Sequence, residues 1–493
     1  MITHLLRAAS LQAALGLSLL GAGLSLPAYA LDAVPAEATT PVAAAPTLEE
    51  QGRRLAVAGD CMACHTVPDS DKPFAGGYAI NSPFGAIYST NITPSKTAGI
   101  GNYTQAQFAA AVRDGVRADG SRLYPAMPYT SYVHMTDEDV AALYAYFMHG
   151  VKPVETPGPV TALNFPFNLR FSMIGWNLLF LDSRDTSKAH AASTQLQRGE
   201  YLTNTLEHCG ACHTPRNELM AEIKDKALTG GMVGPWYAPN ITSDPVSGIG
   251  GWSDEELIEY LSTGRAKGKN QAAGGMAEAV QNSLQFLPRE DLAAIVAYLK
   301  STKAVREPGA TVAAFSYTGN GQGSPENRLR GVGKSTEHDS LHSGEALYSG
   351  LCASCHQPTG KGSANQAYPS LLNNTATGLS TPANLISAIL YGVDRLHGDN
   401  HVLMPRFDEL SYVQPLTDQQ VADVANYVLQ QYGNSAVSVS AKDVAVARVG
   451  GEAPLLAVVQ PYILPAMVLG AVLVIGLLAL WLRRRTLRQT RAV

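Results

Sequence analysis

Cys61-Met-Ala-Cys64-His65, Cys209-Gly-Ala-Cys212-His213 and Cys352-Ala-Ser-Cys355-His356 account for all 6 cysteines of the 493-residue chain. Two residues between the cysteines let both sulfurs reach the two vinyl groups of one porphyrin from a single helical turn. A histidine directly after the second cysteine then falls beneath the iron. Alone, Cys-x-x-Cys also serves thiol–disulfide exchange or zinc binding, and an even cysteine count in an exported chain suggests a disulfide framework. Repetition of the same local spacing with histidine in the same place sets these aside. Three covalently bound haem c groups are expected, held through Cys61 and Cys64, Cys209 and Cys212, and Cys352 and Cys355, with His65, His213 and His356 as proximal iron ligands.

The chain ends indicate the compartment. Residues 1–30 run from Arg7 through an apolar stretch to Ala28-Tyr29-Ala30, the small-x-small pattern of a signal peptidase site, so export is expected. Residues 31–46 read as a flexible lead-in. Near the other end, residues 462–482 are apolar without a charge, long enough to cross about 30 Å of hydrocarbon as a helix. A basic tail, 483–493, follows with Arg483, Arg484, Arg485, Arg488 and Arg491. It predicts a cytoplasmic C-terminus, with the haem-bearing part periplasmic and anchored to the inner membrane. With signal and tail set aside, 30 basic residues face 41 acidic ones. That balance suits solubility and makes nucleic acid an unexpected partner.

Between the ends the sequence repeats. Motif starts at 61, 209 and 352 mark a period of one small domain plus a connection. Ser89-Thr-Asn-Ile-Thr93 and Thr97-Ala-Gly-Ile-Gly101 recur as Ala238-Pro-Asn-Ile-Thr242 and Ser247-Gly-Ile-Gly250, which points to duplication. Asn-Ile-Thr matches a glycosylation sequon, but its recurrence at matched positions favours a structural loop. A short helix is predicted before each motif, over 48–59, 196–206 and 343–349. A stronger one closes each unit over 137–149, 289–301 and 418–431, introduced by Thr136-x-x-Asp139, Pro288 and Thr417-x-x-Gln420. Strand signals are weak. The expected class is all-α: cytochrome c domains at 47–152, 196–301 and 342–435 in tandem, plus a C-terminal transmembrane helix.

A sixth ligand completes a low-spin electron carrier, and a methionine thioether favours ferrous iron. Met127 in Tyr124-Pro-Ala-Met-Pro128, Met276 in Gly274-Gly-Met276 and Met404 in Leu403-Met-Pro405 occupy comparable places after their motifs. Pro128 and Pro405 hold the backbone extended there. Met232 competes with Met276 in the second unit. His134, His149, His397 and His401 are expected to be solvated.

The connections differ. Residues 302–341 form a polar linker rich in Gly, Ser and charge, and 436–461 link the third unit to the apolar run. Within the apolar and aromatic linker 153–195, residues 165–181 concentrate Phe165, Phe167, Phe171, Trp176 and Phe180. This stretch suits either interdomain core or a surface for membrane or partner.

Ile87-Tyr-Ser-Thr-Asn-Ile-Thr-Pro94, Arg113-Asp-Gly-Val-Arg-Ala-Asp-Gly120, Leu123-Tyr-Pro-Ala-Met-Pro-Tyr129 and Leu143-Tyr-Ala-Tyr-Phe-Met-His-Gly-Val-Lys-Pro153 resemble the triple-haem cytochrome c subunit of membrane-bound alcohol, aldehyde and sugar-acid dehydrogenases of acetic acid bacteria. The resemblance covers about residues 47–435. It implies relay of electrons from a catalytic dehydrogenase subunit (PQQ, molybdopterin or flavin type), alongside a small accessory subunit, to ubiquinone. The same twelve Cys, His and Met positions carry over as haem-binding and iron-ligating residues. The C-terminal span departs from alcohol dehydrogenase subunits that lack one.

No dinucleotide fingerprint or nucleophile elbow stands out. The expected mechanism is therefore reversible one-electron exchange, with substrate chemistry in a partner and no catalytic residue here. Two alternatives are a peroxidase-like enzyme, which requires an open iron, and a cytochrome subunit of a terminal oxidase.

Overall fold

Thr47, Thr194 and Ser343 start the three units alike. Each side-chain oxygen accepts the backbone N–H three residues on, at 3.2 Å from Glu50, 3.3 Å from Gln197 and 3.2 Å from Ala346. The opening helices that follow are Leu48–Ala58, Gln195–Tyr201 and Gly344–Leu347. The latter two continue into wide π-type turns, Leu202–Leu206 and Tyr348–Cys352. This computed structural model describes residues 46–184, 194–320 and 341–489. The predicted signal peptide and nearly all of the 31–46 lead-in lie outside the described residues.

The closing helices are Asp137–Ala145, Arg289–Ser301 and Asp418–Tyr432. Thr136 and Thr417 cap their helices as the sequence pattern predicts. Each opening helix crosses its closing helix at a glycine. A Cβ on Gly52 would lie 1.9 Å from the Ala142 carbonyl oxygen, one on Gly199 1.9 Å from that of Ala294, and one on Gly344 2.1 Å from that of Asp423. Backbone therefore touches backbone at all three crossings. Val140, Leu143 and Phe147, and Leu292, Ile295, Val296 and Leu299, are buried beneath them.

The chain is mostly helical, as expected, and among the described residues it adds four short two-stranded antiparallel hairpins. They pair Ala79–Ser82 with Gly85–Tyr88, Gly231–Val233 with Trp236–Ala238, Arg265–Ala266 with Asn270–Gln271, and Val393–His397 with Asn400–Met404. Strands of two to five residues are too short to show alternation in sequence, and such hairpins persist only when packed on something larger.

Units one and two share a hydrophobic core, whereas the third has its own. Polar contacts lock the third unit onto the second. The Asn384 amide donates to the Tyr237 carbonyl at 2.9 Å and accepts from its N–H at 2.9 Å. Ser387 Oγ donates to the Pro235 carbonyl at 2.8 Å, and Thr375 N to the Lys269 carbonyl at 2.7 Å. Arg395, 1 % exposed, drives its guanidinium from the third unit onto the Thr263 carbonyl, at the C-terminal end of helix Asp254–Thr263.

Two predicted linkers are partly structured. In 302–341, Arg306 pairs with Asp244 at 2.7 Å, and Lys269 sits 3.8 Å over the Phe315 ring. In 436–461, helix Ala441–Arg448 buries Val444 and Ala447 against the third unit. Local sequence gives it little signal beyond the Ser440–Asp443 capping box. The C-terminal helix, Leu455–Gln489, extends past both ends of the predicted 462–482 run. Its most apolar stretch has a mean hydropathy of 2.7 and no buried residue, and by length and composition the helix can cross a membrane.

Replacing Gly199 by alanine is expected to wedge the crossing helices apart and cost about 3 kcal/mol. Thermal unfolding followed by circular dichroism checks this against Gly175→Ala, where a Cβ meets nothing within 4 Å and stability should hold or rise slightly.

Candidate haem sites

Each motif closes on a short helical turn: Cys61–His65, Gly210–His213 and Ala353–His356. The imidazoles are then fixed from outside the motif. His65 Nδ1 bonds the Thr90 carbonyl at 2.7 Å, His213 Nδ1 that of Pro239 at 2.6 Å, and His356 Nδ1 that of Pro369 at 2.9 Å. A carbonyl only accepts, so Nδ1 carries the proton and Nε2 keeps the lone pair that binds iron. Burial lowers the pKa of all three rings and favours this neutral form.

The repeated loops hold those carbonyls in place. Asn91 is buried, accepts the Thr93 N–H at 2.9 Å and donates to the Val154 carbonyl at 2.8 Å. Asn240 repeats this with Thr242 at 2.8 Å and Val305 at 2.8 Å. These asparagines are structural, as their repetition suggested. The Gly-Ile-Gly segments follow from the same packing: a Cβ on Gly99 would lie 2.2 Å from the Thr93 carbonyl oxygen, and one on Gly248 2.1 Å from that of Thr242. The histidine acceptors Thr90 and Pro239 thus sit inside a motif visible in sequence, although its purpose was not. Pro369 has no such signal.

One continuous cavity of 1310 Å³ runs through the three units. It exceeds the roughly 300–1,000 Å³ of a single small-molecule site. Its wall includes all six motif cysteines, His65, His213 and His356, and Met127, Met276 and Met404. Three imidazoles with free Nε2 and three thioethers around one apolar space form a donor set that fits iron porphyrin. The six cysteines are free of disulfides. Burial pushes the thiols of Cys61, Cys64 and Cys352 up to about 12, and those of Cys209 and Cys212 upward too. Each cysteine pair faces the same cavity as the imidazole of its own motif.

The methionines reach the cavity from different local structures. Met127 lies in the turn before Tyr129–Tyr132, Met276 in helix Gly274–Asn282, and Met404 at the end of its hairpin strand. Met232 is 51 % exposed and absent from the wall, as are His134, His149, His397 and His401.

Sequence reading missed a polar junction between the first two motifs, buried at Glu207 and Ser283 and exposed at Glu278. The Ser283 hydroxyl donates to Glu207 at 2.8 Å, Tyr78 to Glu278 at 3.4 Å, and the Tyr132 ring meets His208 at 5.6 Å. Burial drives the Asp60 carboxyl well above its usual range and Glu207 up to about 8. Residues 60, 207 and 278 share no local pattern, so only the fold brings them together. Arg117 and Arg170 also line the cavity; Arg170 lies 4.4 Å over the Tyr124 ring and donates to the Arg122 carbonyl at 2.9 Å.

The cytochrome c family matches residues 49–150, 196–303 and 341–431. The chain is 48 % identical to the fructose dehydrogenase cytochrome subunit of Gluconobacter japonicus, with 91 % of this chain and 93 % of the relative covered. It is 39 % identical to the cytochrome c subunit of the quinone alcohol dehydrogenase of Gluconacetobacter polyoxogenes, over 85 % and 88 % of the two chains. Against the gluconate 2-dehydrogenase cytochrome c subunit of Pantoea cypripedii it is 39 % identical, over 81 % and 89 %.

Glu207 should make stability pH-dependent. An unfolded glutamate loses its proton near the ordinary value of about 4.3, while the folded chain keeps it to about 8. Across that window the folded state binds the extra proton, so stability is highest below it and falls as pH rises. Melting temperatures from acid to mildly alkaline pH should fall more steeply for the native chain than for Glu207→Gln, which keeps an acceptor for Ser283.

Proposed function

The chain belongs to the cytochrome c family, and from that membership we propose that it is the relay subunit of a membrane-bound dehydrogenase complex, passing electrons from a catalytic partner to ubiquinone. It carries electrons and is not the catalytic subunit. The observation that supports this best is the repeated site: three anchored imidazoles and three thioethers around one continuous cavity. Haem c supplies a reversible one-electron couple at each of the three sites.

The residues divide the remaining work. Cys61 and Cys64, Cys209 and Cys212, and Cys352 and Cys355 would hold each macrocycle covalently. His65, His213 and His356 would bind its iron through Nε2, with their Nδ1 bonds fixing the rings. Met127, Met276 and Met404, on the same cavity wall, would supply the second iron ligand that suits a carrier and not a peroxidase. Met276, on the cavity wall, fits this role, and the exposed Met232, off it, does not. Arg117 and Arg170, on the cavity wall of the first unit, would offer positive charge to the carboxylates of a haem bound there.

Helix Leu455–Gln489 anchors the chain in the inner membrane, with Arg483, Arg484 and Arg485 on the cytoplasmic side and the haem units in the periplasm. That arrangement puts the relay beside a lipid-soluble acceptor. Similarity along nearly the full length to a fructose dehydrogenase subunit favours a sugar-oxidising partner over an alcohol- or gluconate-oxidising one.

Purifying the intact membrane complex, identifying its large subunit, and adding fructose, ethanol and gluconate in turn tests the assignment. The sugar should reduce the haems and, with a soluble ubiquinone analogue present, sustain turnover. Reduction by none of the three with no dehydrogenase attached rules the reading out. For the ligands, Met276→Ala should open about one third of the haem to carbon monoxide and lower one midpoint potential, while Met232→Ala changes neither. Difference spectra and a redox titration measure both.

A further inference from the structure

Helix Ser172–Phe180 has its polar and apolar faces reversed from those of a helix on a water-exposed protein surface. Its polar residue points inward: Asn177 is buried, accepts the Tyr129 hydroxyl at 2.8 Å and donates to the Asp114 carbonyl at 3.3 Å. Trp176 also turns inward, with Nε1 donating to the Leu219 carbonyl at 3.0 Å and its ring 5.2 Å from that of Phe180. The outer face carries Phe171, Ile174, Leu178 and Leu179, exposed by 67, 55, 85 and 68 %. Their spacing places these four on one side, on a helix held rigidly from beneath.

The same segment meets the root of the C-terminal helix. Gln460 Nε2 donates to the Phe165 carbonyl at 3.1 Å, two residues before the apolar run begins at Tyr462. The chain at 165 is therefore fastened where the span enters the lipid, and the outward face follows within a few residues. Arg184, just past the helix, is half-exposed and paired with Asp114 at 3.1 Å. A helix held from beneath, with an exposed apolar face beside a span, is the pattern of a helix lying in the headgroup region.

We propose that helix Ser172–Phe180 is a second membrane contact, lying on the periplasmic surface of the bilayer with Phe171, Ile174, Leu178 and Leu179 inserted at the boundary between headgroups and acyl chains. The anchor and this helix together would fix the orientation of the first unit over the membrane, which a single span does not. The inference rests on the anchoring role of Leu455–Gln489 given above.

The test uses the full three-haem chain in its complex, reconstituted into vesicles of phosphatidylethanolamine and phosphatidylglycerol containing a trace of phospholipid with a diazirine in its acyl chain. After illumination, lipid adducts are mapped by peptide mass spectrometry. Adducts are expected on 171–179 and on the span, with none around Val160, which is 85 % exposed but lies outside this helix. Ile174→Glu with Leu178→Glu should abolish the 171–179 adducts and leave those on the span. Adducts on the span alone overturn the proposal, whether water or the catalytic subunit covers the helix. Adducts on neither overturn the anchor itself, and this contact with it.

Discussion

One hydrogen bond per site, from a histidine Nδ1 to a carbonyl outside its own motif, is the constraint from which the rest of the architecture follows. Cys-x-x-Cys-His fixes where a porphyrin is tethered but leaves the imidazole free to rotate. Thr90, Pro239 and Pro369 remove that freedom and set the tautomer. A carbonyl can do this only if its loop is rigid. The buried Asn91 and Asn240 and the tight passage of Gly99 and Gly248 past the neighbouring backbone make it so in the first two units. Behind the loops, the glycine crossings bring the opening and closing helices close enough to wall off the cavity.

The part of this that was legible in sequence is the part that is local. Covalent attachment needs five consecutive residues, so all three motifs can be read directly, and a capped helix announces itself at Thr136 or Thr417. Pro128 and Pro405 flagged Met127 and Met404 through backbone stiffness. Met276 sits on a helix without that signal, and what sets it apart from Met232 is that it lines the cavity. The four hairpins were invisible because their strands are too short to carry a period. The junction of Asp60, Glu207 and Glu278 was invisible because its members lie in two units. Helix Ala441–Arg448 passed for a connection, since its stability comes from Tyr391, whose hydroxyl bonds the Ala447 carbonyl at 2.7 Å, and from Asp418, which pairs with Arg448 at 2.9 Å.

Units one and two retain the imprint of duplication at the level of individual atoms, and they diverge where their charge differs. Arg117 follows the glycine that ends helix Gln105–Asp114. Ala266 holds the matching place after Gly264, and Asp394 after Gly392. Of these three, Arg117 lines the cavity and Ala266 and Asp394 do not, so this position brings a charge to the surroundings of the first site and not to those of the other two.

The contacts of Asn384, Ser387, Thr375 and Arg395 with the second unit have a further consequence. Tunnelling between cofactors weakens steeply with separation, so a relay needs fixed gaps. Here the gap between the second and third centres is set by side chains clasping backbone, not by the length of peptide that joins the units. Insertions in that peptide can therefore accumulate over evolutionary time with little effect on conduction, whereas a single change at the clasp alters it.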